Sequence, residues 1–179
     1  MFKKIAAGRY APQHRFVARA FVPGHTPDPR RQPAPPPAPT YAVELLDPQD
    51  FWRCDRYLFG IDLWNHGYYW EAHEAWEGLW HAAGRTGAVG ALLKGLIRLA
   101  AAGVKVRQGN AESVGSHGEG ARLQLQLARE SGGQPVLCGL DLAAVSALAQ
   151  RIIARKEDWR GDPELPCEVV FDRSLKLVR

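Results

Sequence analysis

Residues 70–81, WEAHEAWEGLWH, contain three tryptophans, three glutamates and two histidines in twelve positions. On an α-helix, which turns by about 100° per residue, Glu71 points away while most of the other polar side chains share one sector of roughly 120°. The residues in this sector are Trp70, His73, Glu74, Glu77, Trp80 and His81. Soluble proteins rarely place so many indoles, imidazoles and carboxylates on a solvated surface. The stretch therefore predicts a helix whose polar side chains lie against a neighbouring helix.

Helical signals extend along the chain on both sides of this stretch. Asp47 followed by Pro48 is typical of a helix start, because aspartate caps free N–H groups and proline fits the first helical position. The last helix, which starts near Asp141, carries one continuous apolar stripe. The predicted helices cover residues 47–65, 68–83, 88–107 and 111–130 and continue from about residue 141. The fold class predicted is all-α, a compact bundle of about five helices.

The two ends of the chain have a different character. Residues 1–40 carry seven Lys or Arg and one acid, and residues 23–39 hold eight prolines, which cannot donate the N–H that helices and sheets need. We therefore expect residues 1–40 to be a basic, Pro-rich, disordered arm and linker. We expect a helical domain over residues 41–160. Residues 161–179 show no helical period, and we expect them to form an extended C-terminal tail packed on the bundle.

Charge and composition exclude some of the functions that the chain could have. The chain has a net charge of +4, but residues 41–179 carry 16 basic and 18 acidic residues, so the body is slightly acidic. We expect no nucleic acid to bind the body, because no dense basic cluster is visible. No apolar run approaches a membrane span of about 20 residues, so no membrane association is expected. The three widely spaced cysteines fit neither a disulfide framework nor a metal spacing, which favours a cytoplasmic location.

Two chemical hypotheses arise from the polar stretch. His73 and Glu77 are four residues apart, with His81 a further four along, a spacing that allows ligands to meet one metal ion. The chain lacks the second Glu-x-x-His motif of di-iron bundles, so we expect no cofactor. A half-buried glutamate beside His73 could also move protons as a general acid or base. No nucleophile stands out to accompany it.

A third hypothesis, a structural network, is the one that the sequence favours. Lys94 and Arg98 are four residues apart on the third helix, and Lys105 lies on nearly the same face. If the second and third helices pack antiparallel, these cations could meet Glu74 and Glu77, since buried carboxylates need partners. The predicted polar cluster consists of His73, Glu74, Glu77, Trp80, Lys94, Arg98 and Asn110.

Two segments together resemble a known family. They are LWNHGYYWEAHEAWEGLW (residues 63–80) and LLKGLIRLAAAGVKVRQGN (residues 92–110), and they resemble the domain of unknown function 309 family. The matching positions are Asn65, Gly67, Glu71, Ala72, His73, Glu74, Glu77, Trp80, Gly95, Leu96, Ile97, Ala100, Ala101, Gly109 and Asn110. The resemblance covers about residues 55–127 and implies a small all-helical domain, known in bacteria and archaea, without an established activity. Arg98 stands where that family usually has glutamine, and Lys105 stands near a frequent histidine.

Two functions remain open at this point. The first is a non-catalytic interaction or scaffold module with a groove between the second and third helices. The second is a small metal-dependent or acid/base enzyme, of a hydrolase-like kind, that uses His73, Glu74 and Glu77. The partner is an unknown protein or a second copy of the chain. A homodimer is possible because the glycines of the third helix, Gly90, Gly95 and Gly103, suit close helix packing.

Overall fold

The computed structural model describes residues 8–28 and 45–178. Five α-helices, one short 3-10 helix and one small hairpin account for the regular structure of these residues. The helices are α1 (Asp55–Asn65), α2 (Tyr69–Ala82), α3 (Gly87–Arg107), α4 (Ala111–Gly132) and α5 (Leu142–Ala154). The strands are β1 (Val136–Leu137) and β2 (Leu140–Asp141), which pair antiparallel. The predicted all-α fold of about five helices is confirmed.

Helix α3 lies at the centre of the bundle. It packs against α2 on one side and α4 on the other, while α1 packs on α2 and α5 packs on α4. By length and composition α3 could cross a membrane, which the sequence analysis did not foresee. Because 67% of its apolar window is buried against other parts of the protein, α3 has the character of a core helix.

The start of α1 differs from the prediction. Asp47 accepts a hydrogen bond from the backbone N–H of Gln49 at 2.8 Å, so the Asp–Pro signal closes a local turn rather than opening the helix. A short 3-10 helix, Phe51–Arg53, follows, and Cys54 adopts a non-helical conformation before α1 begins at Asp55. The other helices begin and end within about two residues of their predicted bounds, since caps and periodicity are local signals.

The N-terminal segment is packed on the helices, which differs from the disordered arm that the sequence predicted. Residues 8–28 lie on the helices, with Ala11 and Ala20 buried. The carboxylate of Asp62, which is only 1% exposed, accepts hydrogen bonds from the backbone N–H groups of Tyr10 at 2.8 Å and Ala11 at 2.9 Å. A buried carboxylate needs such donors, and these come from the arm. The prediction of disorder is therefore wrong for residues 8–28, and the rest of the predicted arm lies outside the described residues.

The C-terminal tail is extended and packed on the bundle, as predicted. The ring of Phe171 stacks on Trp64 with centroids 5.3 Å apart. The side-chain amide of Asn65 donates to the carbonyl oxygen of Leu175 and accepts from its N–H, at 2.9 and 2.8 Å. Leu177 also forms an isolated bridge to Leu140, so the tail finds a strand partner in a hairpin that the sequence did not predict.

Replacing Asp62 with alanine should detach the arm. The substitution removes two charge-assisted hydrogen bonds, and we expect the free energy of unfolding to fall by about 2 kcal/mol. Urea unfolding measures this loss, and hydrogen exchange should show that the amides of Tyr10 and Ala11 lose protection. Asp55→Ala is the matched control, because Asp55 also faces the arm but its side chain is 48% exposed. Equal losses in the two variants would contradict the anchoring role of Asp62.

Candidate functional site

A polar surface runs across α2, α3 and α4, and we call it the polar seam. Its residues are His73, Glu77, Lys94, Arg98, Lys105 and His117, all of them half-buried. Lys94, Arg98 and Lys105 lie along one line of α3, because positions four, seven and eleven residues apart return to nearly the same side of a helix. Since α3 packs between α2 and α4, this line is flanked by side chains from both neighbours.

Aromatic rings border the α2 side of the polar seam. The ammonium nitrogen of Lys94 lies 4.0 Å from the centroid of the Trp80 ring, in a cation–π contact. Burial and then the charge of Arg98 lower the pKa of Lys94, while Glu77 opposes that shift. The imidazole of His73 stacks on Trp70 with ring centroids 5.7 Å apart. Ring contacts therefore hold His73 of α2 and Lys94 of α3.

His117 brings α4 into the polar seam, and sequence reasoning missed it. Burial lowers the pKa of His117, and the charges of Arg98, Lys105 and His73 lower it further. The side chain of Arg98 crosses towards α4, where a β-carbon at Gly120 would lie 3.3 Å from its Nε. The only sign of this in the sequence was the position of His117 among glycines, which permit close approach of neighbouring helices.

Both histidines favour the neutral state. Burial lowers the pKa of His73, whereas the nearby Glu77 and Glu74 act in the opposite direction. The Nδ1 atoms of His73 and His117 are buried and have no hydrogen-bond partner in the described part of the chain, while their Nε2 atoms reach the surface. The seam thus presents two neutral imidazoles by their Nε2 edges.

The expected ion pairs between α2 and α3 do not form. Among the described residues, no carboxylate lies within 4.0 Å of the charged nitrogens of Lys94, Arg98 or Lys105. Glu74 is exposed, because α2 turns its alanines and Trp76 into the core instead. The structure brings together five of the predicted residues: His73, Glu77, Trp80, Lys94 and Arg98.

Two other predicted positions lie apart from the polar seam. Asn110 is exposed and caps α4, with its side chain accepting a hydrogen bond from the N–H of Ser113 at 2.9 Å. His81 is exposed, and its Nδ1 accepts from Nε of Arg85 at 3.1 Å. His73, Glu77 and His81 do not form a metal-holding group, and residues 8–28 and 45–178 contain no group of three or more His, Cys, Asp or Glu that could hold an ion. The neighbouring cations also disfavour a metal ion there.

The segment that carries most of the polar seam can be compared with known proteins. Residues 57–116 match the model of a family described as a domain of unknown function, DUF309. The resemblance drawn from the sequence motifs is confirmed over this segment. The DUF309 segment contains every seam residue except His117, which follows it directly. No curated protein and no solved structure matches the chain.

A second buried cluster in the DUF309 segment links it to both ends of the chain. Glu71, which was expected to point away from the polar sector, accepts a hydrogen bond from the backbone N–H of Phe21 at 2.8 Å. Burial raises the pKa of the Glu71 carboxyl to about 7, although the bond from Phe21 and the charge of Arg107 lower it. The other oxygen of Glu71 is buried without a partner in the described part of the chain.

Arg107 completes this second cluster. It is 1% exposed, and its guanidinium donates to backbone carbonyls of the tail, including that of Asp162 at 3.0 Å. Its Nε and Nη1 are buried and have no partner within residues 8–28 and 45–178. Sequence reasoning missed Arg107. The one signal was its place at the end of an apolar run. Glu71 and Arg107 therefore anchor the arm and the tail, which lie outside the DUF309 segment.

Proposed function

We propose that this protein is a non-catalytic interaction module that binds an acidic segment of a partner protein along the polar seam. The observation that carries the proposal is the line of three half-buried cations on α3, none of which has a carboxylate within 4.0 Å among the described residues. The comparisons support only an uncharacterised domain, so the binding role rests on this geometry.

Cations that lie close together without a nearby carboxylate reduce the stability of the isolated protein. Like charges four residues apart on a helix repel, as Lys94 and Arg98 do. Partial burial removes some of their hydration, which lowers the pKa of Lys94 together with the charge of Arg98. Carboxylates supplied by a partner would relieve both effects and would also steer the encounter.

The distribution of charge favours a short acidic segment over nucleic acid. Lys94 and Lys105 are eleven residues apart, so the cationic line is about 17 Å long. Residues 41–179 carry two more acidic than basic residues, so this part of the chain lacks the overall positive excess that is typical of nucleic-acid-binding proteins.

The enzymatic alternative, which would use His73, Glu74 and Glu77, has weaker geometric support. General acid/base chemistry requires its groups to reach one reacting atom. Glu74 is exposed, whereas His73 is stacked on Trp70 at the seam. The cavity described for this chain, about 260 Å³ in volume, is lined by Leu45, Asp47, Asp50, Arg53 and Cys54, none of which belongs to α2 or α3.

Binding of an acidic peptide tests the proposal. The probe is a fluorescein-labelled peptide with glutamate at every second position, and fluorescence anisotropy measures its affinity. The triple variant Lys94→Gln, Arg98→Gln and Lys105→Gln should bind at least about tenfold more weakly, because three charge contacts are lost. Affinity of the unchanged protein should fall as salt is added, since exposed charges are screened.

The matched control removes three positive charges elsewhere on the surface. Arg129, Arg173 and Lys176 are exposed, and none of their side chains is hydrogen-bonded or ion-paired within the described residues. Their triple glutamine variant should bind the peptide like the unchanged protein. An equal loss of peptide affinity in both variants would show that binding depends only on the net charge of the protein. Tighter binding of a DNA or RNA duplex than of the peptide would also overturn the proposal.

A further inference from the structure

We infer that the middle of the polar seam, between His73, Arg98, Lys105 and His117, is a binding site for a phosphate monoester. The inference deepens the proposed function and rests on it, since the monoester would be one group on the acidic segment. The four side chains stand on three neighbouring helices and each can donate a hydrogen bond, and Arg98 reaches α4 at Gly120, three residues after His117.

Arg98 is the central donor. Its guanidinium crosses from α3 towards Gly120 of α4 and has no carboxylate within 4.0 Å among the described residues. A guanidinium holds its N–H groups in a planar fork that matches two oxygens of a phosphate group. Arg98 can therefore take two of the oxygens without a change in the fold.

The two imidazoles each offer an Nε2 atom at the surface of the seam. A neutral imidazole carries one proton, and a buried N–H without an acceptor is more costly than a buried nitrogen lone pair. Because the Nδ1 atoms of His73 and His117 are buried without partners in the described part of the chain, the proton belongs on Nε2, which reaches the surface. One N–H donor thus comes from α2 and one from α4.

Lys105 adds a positive charge to the seam, and that charge contributes to the lowered pKa of His117. Its ammonium donates to Oε1 of Gln108 at 2.8 Å, and two of its three N–H groups are left for a ligand. The seam carboxylate, Glu77, opposes the lowering of the pKa of Lys94 and of His73, whereas the charges that act on the pKa of His117 are those of Arg98, Lys105 and His73. Glu74 also acts on His73. The His117 side is therefore the more favourable side for an anion.

The shape of the donor set distinguishes phosphate from a carboxylate. A carboxylate has two oxygens in one plane, whereas a phosphate monoester has three terminal oxygens and a charge near −2 at neutral pH. The donors stand on three helices, with α3 packed between α2 and α4. Three terminal oxygens match this arrangement better than two.

Histidine titration, followed by the Cε1–H signals in NMR, tests the inference on the full chain. A bound dianion stabilises the imidazolium, so phenyl phosphate should raise the pKa of both His73 and His117. His14, His25 and His66 lie outside the seam and should not respond. Sulfate, which stays dianionic over this range, should bind more tightly as the pH falls through the raised pKa of the two histidines.

Three variants test whether phenyl phosphate binds to the named donors or only responds to the overall charge of the protein. Arg98→Gln should weaken binding of phenyl phosphate at least about tenfold. Arg129→Gln, on an exposed part of α4, should leave it unchanged. Glu77→Gln should strengthen it, because a nearby negative charge is removed. Failure of Arg98→Gln to weaken binding would overturn the inference.

The two proposals can fail independently. A phosphoserine peptide should bind more tightly than the same peptide with unmodified serine, and phenyl phosphate should shift the two histidines without any peptide. If the unmodified acidic peptide binds but neither phosphate compound shifts His73 and His117, the phosphate site is refuted and the proposed function stands. If phenyl phosphate binds but no peptide does, the phosphate site stands as a small-molecule site and the proposed function is refuted.

Discussion

Gly60→Ala is expected to lower the free energy of unfolding by about 3 kcal/mol, near the upper end of what overpacking usually costs. A β-carbon at Gly60 of α1 would lie 2.3 Å from Nε1 of Trp76 on α2. No carbon atom tolerates a contact that short, so the indole or the helix must move. The Trp76 ring is 0% exposed and is held on all sides by the core. Denaturant unfolding followed by tryptophan fluorescence measures the effect.

Gly115→Ala is the matched control for this prediction. Gly115 is also a glycine inside a helix, and a β-carbon there would lie 2.9 Å from Cδ of Lys156. That neighbour is a flexible side chain, which can swing away at little cost. Alanine is a better helix former than glycine by about 1 kcal/mol, so the variant should be as stable as the parent or more so. Equal destabilisation by the two variants would refute the close packing of α1 on α2.

Glu71→Gln is expected to change how stability depends on pH. Burial raises the pKa of Glu71 from its ordinary value of 4.5 to about 7. The folded protein therefore holds a proton that the unfolded chain releases between these values, and stability is lost as the pH rises towards 7. Above that, the ionised buried carboxyl costs about 3 kcal/mol. Glutamine keeps an acceptor for the N–H of Phe21 and does not titrate.

The stability difference between the variant and the unchanged protein is expected to grow as the pH rises. Near the ordinary pKa of 4.5 the two proteins should differ little in stability. At about pH 8 the variant should be more stable by about 3 kcal/mol. Urea unfolding at several pH values measures this difference. Glu164→Gln is the control, because Glu164 is exposed and its carboxylate has no partner among the described residues. A stability difference that stays constant with pH would contradict the buried state of Glu71.

The two predictions concern residues that hold α2, and with it the α2 side of the polar seam, in position. Trp76 and Glu71 lie on the same helix as His73 and Glu77, and both are directed away from the seam into the protein. Trp76 holds α2 against α1, while Glu71 holds it against the arm through Phe21. Any variant that loosens these contacts would also move the seam residues of α2. Stability should therefore be measured before a loss of binding is interpreted.

Sequence reasoning was most successful where the deciding interactions are local. The helical period and the caps predicted α2 to α5 closely, and the predicted start at Asp141 is confirmed by its hydrogen bonds to the N–H groups of Ala143 and Ala144. The same reasoning was wrong at Asp47, where a turn and a helix cap share one signature. Local patterns thus predicted which segments are helical but not every starting point.

The candidate site was predictable only in part. Helical spacing grouped His73 with Glu77, and Lys94 with Arg98, since these pairs lie four residues apart. It did not predict that Lys94 would rest on the face of Trp80, because that contact depends on the rotation of α3 against α2. His117 lies 44 positions after His73, so nothing in the local sequence relates the two. They belong to one surface only because α3 packs on both α2 and α4.

By itself, then, the sequence determined the helical class of this protein, the order of its helices and the line of cations along α3. These depend on backbone hydrogen bonds and side-chain periods that act within a few residues. The tertiary structure alone decided that the arm binds the carboxylates of Asp62 and Glu71, and that Arg107 is buried beneath the tail. Each of those hydrogen bonds joins residues at least 50 positions apart, where burial of unpaired charge, not local preference, selects the partner.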